Sequence, residues 1–228
     1  AICGEVLAIA QAARNSGGVV LAQVERLAAR GTLDPRLVRV PGILVDGVVI
    51  APREQHPQTF AEGFNASYCG AVKAPLPEPP TYRLRARKII ARRAALELSA
   101  GMVINVGADV TDDMTTVLSE EGIGDRVTVA LQSGTIGGVP AGGLAYGAAM
   151  NPDAILDQPA QYDFLDGGGL DVAVLGVTKV DARGNVNASR FGPRILGCGA
   201  FINISQSARQ IIFCGPFTDG AETALLDG

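Results

Sequence analysis

The residues best placed to do chemistry in this chain lie in one stretch, Gln132-Ser133-Gly134-Thr135-Ile136-Gly137-Gly138-Val139-Pro140-Ala141-Gly142-Gly143. Its glycine density is far above that of an average globular chain. Glycine lets backbone amides come close to a ligand and adopt positive φ. The chemistry on offer is therefore recognition by backbone, with Gln132 as the polar side chain at its start. An apolar run, Val127-Thr128-Val129-Ala130-Leu131, precedes it and predicts a buried strand. A strand running into a glycine-rich turn is where an α/β protein places its active residues.

Other chemistries are poorly supplied. The chain has a single histidine, His56, inside Pro52-Arg53-Glu54-Gln55-His56-Pro57, which reads as a surface loop. A Ser-His-Asp triad would have to use it, and no Gly-x-Ser-x-Gly elbow is present. Cys3, Cys69, Cys198 and Cys214 lack CxxC spacing, so they are expected to be free thiols in a reducing cytosol, with no metal site. The net charge of −4 argues against nucleic acid, whose binding depends on neutralising phosphates. The cluster Arg83, Arg85, Arg87, Lys88, Arg92 and Arg93 is expected to be a solvated helix face. No Gly-x-Gly-x-x-Gly with a following acid and no Gly-Lys-Ser/Thr loop suggests a nucleotide site. Without a membrane-length apolar run or a signal peptide, the expected location is cytoplasmic.

The elements that must carry the loop are legible as alternating strands and helices. Helices are expected over Ile2–Asn15, Val24–Arg30, Ala86–Leu98, Thr111–Glu121 and Ser205–Arg209. Strands are expected at Val19–Val24, Val38–Val40, Gly42–Val45, Val48–Ile50, Met102–Val106, Val127–Leu131, Leu170–Leu175 and Gln210–Cys214. Asp181-Ala182-Arg183-Gly184-Asn185 carries hairpin-turn residues. This alternation predicts an α/β fold with an open, mostly parallel sheet and helices. The proline-rich residues 71–82 read as a linker between residues 1–70 and a second domain at 83–228.

The glycine loop resembles the family I coenzyme A transferases, most closely the fused acetate/propionate/3-oxoacid type. Further motifs extend the match: Asn15-Ser16-Gly17-Gly18, Gly31-Thr32-Leu33-Asp34-Pro35-Arg36, Val40-Pro41-Gly42-Ile43-Leu44-Val45-Asp46, Asp157-Gln158-Pro159, Phe164 to Asp171, Gly184 to Arg194 and Gly197 to Ser205. The resemblance implies a CoA-transferase-like two-domain fold, with 1–70 as the C-terminal part of the first domain and 83–228 as a truncated second one. It implies coenzyme A as substrate with no permanent cofactor, and acyl-CoA and small carboxylic acids as partners. It places the reaction in short-chain fatty acid and ketone-body metabolism.

In that family a glutamate attacks the acyl-CoA thioester and forms an acyl anhydride. The released CoA thiolate then converts the anhydride to a glutamyl-CoA thioester. The glutamate position falls on Gln132. Gly199 and Ala200 match the family's backbone donors to the oxyanion. Asn105 and Gly107 match the start of its substrate loop, and Gly134, Gly137, Gly138 and Gly142 its CoA-side glycines. Arg190 and Arg194 leave two readings, CoA phosphates or structural pairs.

This chain departs from the pattern in three ways. Gln132 is a neutral amide and a far weaker nucleophile than a carboxylate. Asp109 stands where the family has glycine, adding a charge to the substrate loop. Asp109 is also a candidate substitute nucleophile, whereas Glu120 and Glu121 read as surface residues, and Asp166 and Asp171 as caps of backbone amides. The match covers nearly all of this chain but only the middle of a fused transferase. Exposed apolar sheet edges are therefore expected, with association to itself or another chain. Activity, silent acyl-CoA binding and a non-catalytic subunit role all remain open at this point.

Overall fold

In the computed structural model, which describes residues 4–76, 84–216 and 226–227, the alanine-rich start forms helix α1 (Val6–Asn15). Alanine loses no side-chain freedom in a helix. Strand β1 (Leu21–Val24) runs parallel to β2 (Gly47–Ile50), with Leu21 opposite Gly47 and Val24 opposite Ile50. Asp46 fastens the three elements. Its carboxylate accepts from the Val20 amide at 2.9 Å and pairs with Arg14 of α1. Leu21, Ile43, Val49, Ile50 and Phe60 of this region stay exposed.

Several expected elements do not form. Residues 24–30 contain no helix. So short a stretch cannot recover the cost of nucleation without a packing partner, and Leu27 is exposed. Residues 38–40 form no strand. Gly42–Leu44 is a single 3-10 turn rather than a strand, entered through Pro41 at φ −62°. Proline fixes that angle and has no N–H to give to a ladder.

The second region is built on a longer alternation. Helix α2 (Ala86–Ala95) is followed by β3 (Val103–Val106), α3 (Thr111–Glu120) and β4 (Thr128–Val129). The glycine-rich stretch then folds back through β5 (Thr135–Ile136), β6 (Val139–Pro140), β7 (Ala149–Met150) and β8 (Ala154–Ile155), pairing β5 with β8 and β6 with β7 in antiparallel fashion. Helix α4 (Gln158–Phe164) leads to β9 (Val172–Gly176). Short strands β10 (Val180–Asp181), β11 (Arg190–Phe191) and β12 (Arg194–Ile195) precede α5 (Phe201–Ser207) and β13 (Gln210–Cys214), and β14 (Leu226–Asp227) pairs with β10. The expected strand 127–131 is cut to two residues, because Leu131 already turns back to bond Thr135.

Four strands form one parallel sheet in the order β13-β9-β3-β4. Side chains alternate across it, as strand geometry requires. Val172 and Val174 face Met114 and Val117 of α3 and Ala91 and Ala94 of α2, while Ala173 and Leu175 face Leu165, Leu170 and Ile204. Helices thus cover both faces, the α/β architecture that the alternation predicts. Fully burying one such valine or leucine is worth about 1.5–3 kcal/mol.

The arginine-rich face of α2 is not simply solvated. Asp113 of α3 accepts from Arg85 at 3.0 Å and Arg87 at 2.7 Å, and Lys88 donates to Glu120 at 2.6 Å. Arg92 reaches Glu121 at 3.0 Å. Burial pushes the Asp113 carboxyl up, but the bonds and charges of Arg87 and Arg85 outweigh it and hold the group below its ordinary value.

Residues 77–82 of the expected linker, and residue 83 at the expected domain start, lie outside the described residues. The described part is anchored rather than a free spacer. The Asn151 side chain accepts from the Ala74 amide at 2.9 Å and donates back to its carbonyl at 2.8 Å. Among the described residues no helix is long and apolar enough to cross a membrane.

Candidate active site

Strand β4 delivers the chain to a tight turn. The Leu131 amide donates to the Thr135 carbonyl at 2.9 Å, and the Gly134 amide to the Leu131 carbonyl at 3.1 Å. Gln132 and Ser133 therefore stand at the tip, with Gln132 half-buried. Two buried carboxamides grip the strand end behind it. Asn105 Nδ2 donates to the Ala130 carbonyl at 2.7 Å, and Gln161 Nε2 to the Leu131 carbonyl at 3.1 Å. Both side chains are wholly buried, and their oxygens meet no hydrogen-bond donor among the described residues.

The glycines that follow are required by the chain itself. Gly134 has φ +114°, and a Cβ there would collide with the Leu156 carbonyl. Gly138, at φ +72°, lies against the carbonyl of Met150 and the backbone of Asn151. Gly137 and Gly142 lie against the carboxylates of Asp153 and Asp112. The loop is thus closely packed on its own hairpin and on α3.

Tyr146 ties the same loop to β3, its hydroxyl donating to the Val106 carbonyl at 3.2 Å. Burial, with the Tyr162 and Asp109 charges adding to it, pushes its phenol up to about 12, so it is a neutral donor at ordinary pH.

The remaining expected site residues lie around the sheet. Asn105 is in β3, and the Gly107 amide just beyond donates to the Val174 carbonyl at 2.8 Å. From β3 the chain goes to β4 on one side and later returns to β9 on the other. That makes the β3–β9 ends a topological switch point, the usual place for a ligand crevice. A cavity of about 270 Å³ opens there, lined by Arg87, Asp109, Asp113, Gly176, Thr178 and Pro216, among others. Asp109 packs over Gly176, whose Cβ would stand 2.7 Å from the Asp109 Cβ. Gln132 is not part of this cavity's lining.

Gly199 and Ala200 lead into α5. Gly199 has φ +51° with open space beside it, and Ala200 packs on the same buried cluster as Ala130. Arg190 donates to the Gly192 carbonyl at 3.1 Å. Asp171 takes the Val103 amide at 2.8 Å, the capping role expected of it. Asp166 instead accepts the side chains of Asn203 at 2.8 Å and Ser207 at 2.9 Å. Glu120 is exposed, as expected, and its carboxylate pairs with Lys88 and Arg92. Cys69, Cys198 and Cys214 carry free thiols, and the described residues hold no cluster of three metal-ligating groups.

Sequence reasoning passed over Gln161, Tyr146 and Asn151. The one available signal for Gln161 was its spacing, four residues ahead of Leu165 on the apolar side of a short helix.

No protein-family model matches the chain. It is 41% identical over 230 residues to a caffeate CoA-transferase of Acetobacterium woodii, covering 98% of this chain and 44% of that protein. It is equally 41% identical over 231 residues to acetate CoA-transferase YdiF of Escherichia coli O157:H7, covering 98% of this chain and 42% of that one. The fold matches crystal structures of the O157:H7 acyl-CoA transferase. For the apoenzyme the TM-score is 0.83 at 40% identity, over 96% of this chain and 40% of that one. For its thioester complex with CoA the values are 0.82 and 39%, over 95% and 42%. The chain spans less than half the length of these relatives. In its motifs, its α/β fold and this likeness alike, the chain is similar to coenzyme A transferases over the part of their length that it spans.

Proposed function

We propose that the protein serves coenzyme A transfer between a short-chain acyl-CoA and a carboxylic acid, and that Gln132 disables the covalent route in this copy. The observation that carries the reading is the position of residue 132. It is half-buried at the tip of a turn that follows the parallel strand, in a chain 41% identical to named CoA-transferases over 98% of its length.

The chemistry implied at that position needs a carboxylate oxygen to attack the thioester carbon. The CoA thiolate leaves, then returns to the resulting anhydride and expels the acyl carboxylate. Gln132 offers an amide, whose nitrogen lone pair is delocalised and whose acyl adduct is not a reversible anhydride. The backbone amides of Gly199 and Ala200 are the oxyanion donors in this reading. Removing even one such donor costs ~10²–10³ in rate. Gly107, Gly134, Gly137, Gly138 and Gly142 shape the walls that CoA meets, and Asn105 acts through the strand because its side chain is buried.

Gln132 also favours a second reading, an acyl-CoA-binding relative or a subunit that pairs with an active homologue. The exposed apolar residues of β1 and β2 support association with itself or another chain.

The test is CoA transfer from acetyl- or propionyl-CoA to a short carboxylate, run on the chain and on Gln132→Glu, with calorimetric titration of CoA alongside. Turnover by the Glu form alone supports the transferase reading. CoA binding without turnover in either form supports the silent relative. A folded protein that neither binds nor turns over sinks both.

A further inference from the structure

We infer that Asn105 and Gln161 are positioning residues for residue 132, a pair of buried carboxamides that set how the chain leaves the sheet. The inference rests on the reading of residue 132 as the acyl-accepting position, but its structural half stands without it.

The two residues come from different layers, β3 and α4, and grip consecutive carbonyls, Ala130 and Leu131. The Ala130 amide is already held by the Ile104 carbonyl at 2.8 Å. With Asn105 on its carbonyl, this peptide segment is fixed from both of its polar groups. The Leu131 carbonyl serves two donors, Gln161 Nε2 and the Gly134 amide that closes the turn. Whatever moves Gln161 therefore moves the acceptor on which the turn closes.

Room for Asn105 comes from small neighbours on its face. Ala173 is its register partner on β9, and Ala173 and Ala130 are both fully buried. The unpartnered oxygens Asn105 Oδ1 and Gln161 Oε1 show which half of each carboxamide is used. Leaving a buried acceptor without a donor is unfavourable, so the N–H donors must repay it. An ionised carboxylate of the same shape has no N–H to give and would bury a charge. Neither side chain is exposed, so both act through the backbone.

The test uses the full chain with Gln161→Met, which keeps length and removes the donor, and Asn105→Leu as an independent second variant. Amide hydrogen exchange at residues 133–137 is read first, with β9 as internal reference. Loss of one such bond is expected to speed exchange there by about tenfold while β9 is unchanged. In the Gln132→Glu background, kcat is expected to fall about tenfold or more with KM within about twofold, the pattern of a misplaced group that never touches substrate. Gln161→Glu in that background should regain kcat as pH falls, because the protonated carboxyl again donates to Leu131. Unchanged exchange at 133–137 overturns the clamp. Faster exchange with unaltered kcat overturns its positioning role. If Gln132→Glu gives no turnover, the transferase reading falls and the exchange result alone decides the clamp.

Discussion

Two glycine-rich regions of this molecule look alike as sequence and are opposite as structure. In the turn after β4, Gly134, Gly137, Gly138 and Gly142 each lie against the chain's own atoms. In the stretch from 184 to 199, Gly184, Gly192, Gly197 and Gly199 all have positive φ with open space where a Cβ would stand. The first region is built before any ligand arrives. The second has room for something to approach its backbone. A packed turn that carries residue 132 and a separate stretch whose amides are open to approach are the two kinds of part that an acyl-transfer site needs.

The hardest way to break that contrast is to fill the packed turn. Gly134→Ala places a methyl on the Leu156 carbonyl at φ +114° and should destabilise the protein by about 3 kcal/mol or more. Gly199→Ala meets nothing within 4 Å and should cost only the left-handed conformation, about 1–2 kcal/mol. Denaturant unfolding of the two variants compares them directly, and equal losses would erase the distinction.

The two regions should also respond to opposite ends of the pH scale. Tyr146, in the packed loop, has its phenol raised to about 12, with burial as the main cause. Its folded pKa lies above the unfolded one, near 10, so its contribution is present below about pH 10 and is lost as pH rises through about 12. Asp181, at the start of the open stretch, is held below the ordinary carboxylate range, first by the Asn185 side chain and then by the amides of Asn185 and Arg183. Its depressed folded pKa means that the 181–185 turn is secured above the unfolded value and loosens only as pH falls through the folded one. Tyrosinate absorbance and amide shifts at 183–185, followed across pH, check the two halves. A finer probe is Tyr146→Phe, expected to cost about 0.5–1.5 kcal/mol through loss of its bond to Val106.

What the sequence made legible follows from how many atoms decide each feature. Gln210–Cys214 forms the strand over the residues expected, and Thr111–Glu120 the helix, because an unbroken apolar run and an i, i+3, i+4 pattern at Met114, Val117 and Leu118 are local signals. Residues 24–30 misled because their helix-forming composition finds no partner to pack against. The glycine loop is legible in the sequence as a place but not as a packed object, since Leu156 and Asp153, against which it lies, come well after it in the chain. Asn105 stands out by family pattern, while its bond to Ala130 is a contact across strands that no motif displays. Gln161 is hidden for the same reason.

The central claim is that residue 132 is the position of covalent transfer and that its amide is what stops it. Peptide mass mapping after incubation with acetyl-CoA, applied to the chain and to Gln132→Glu, tests this most directly. The account predicts a CoA adduct on the peptide containing residue 132 in the Glu form and none in the Gln form. An adduct at another residue, Asp109 above all, or on the Gln132 chain itself, would contradict it.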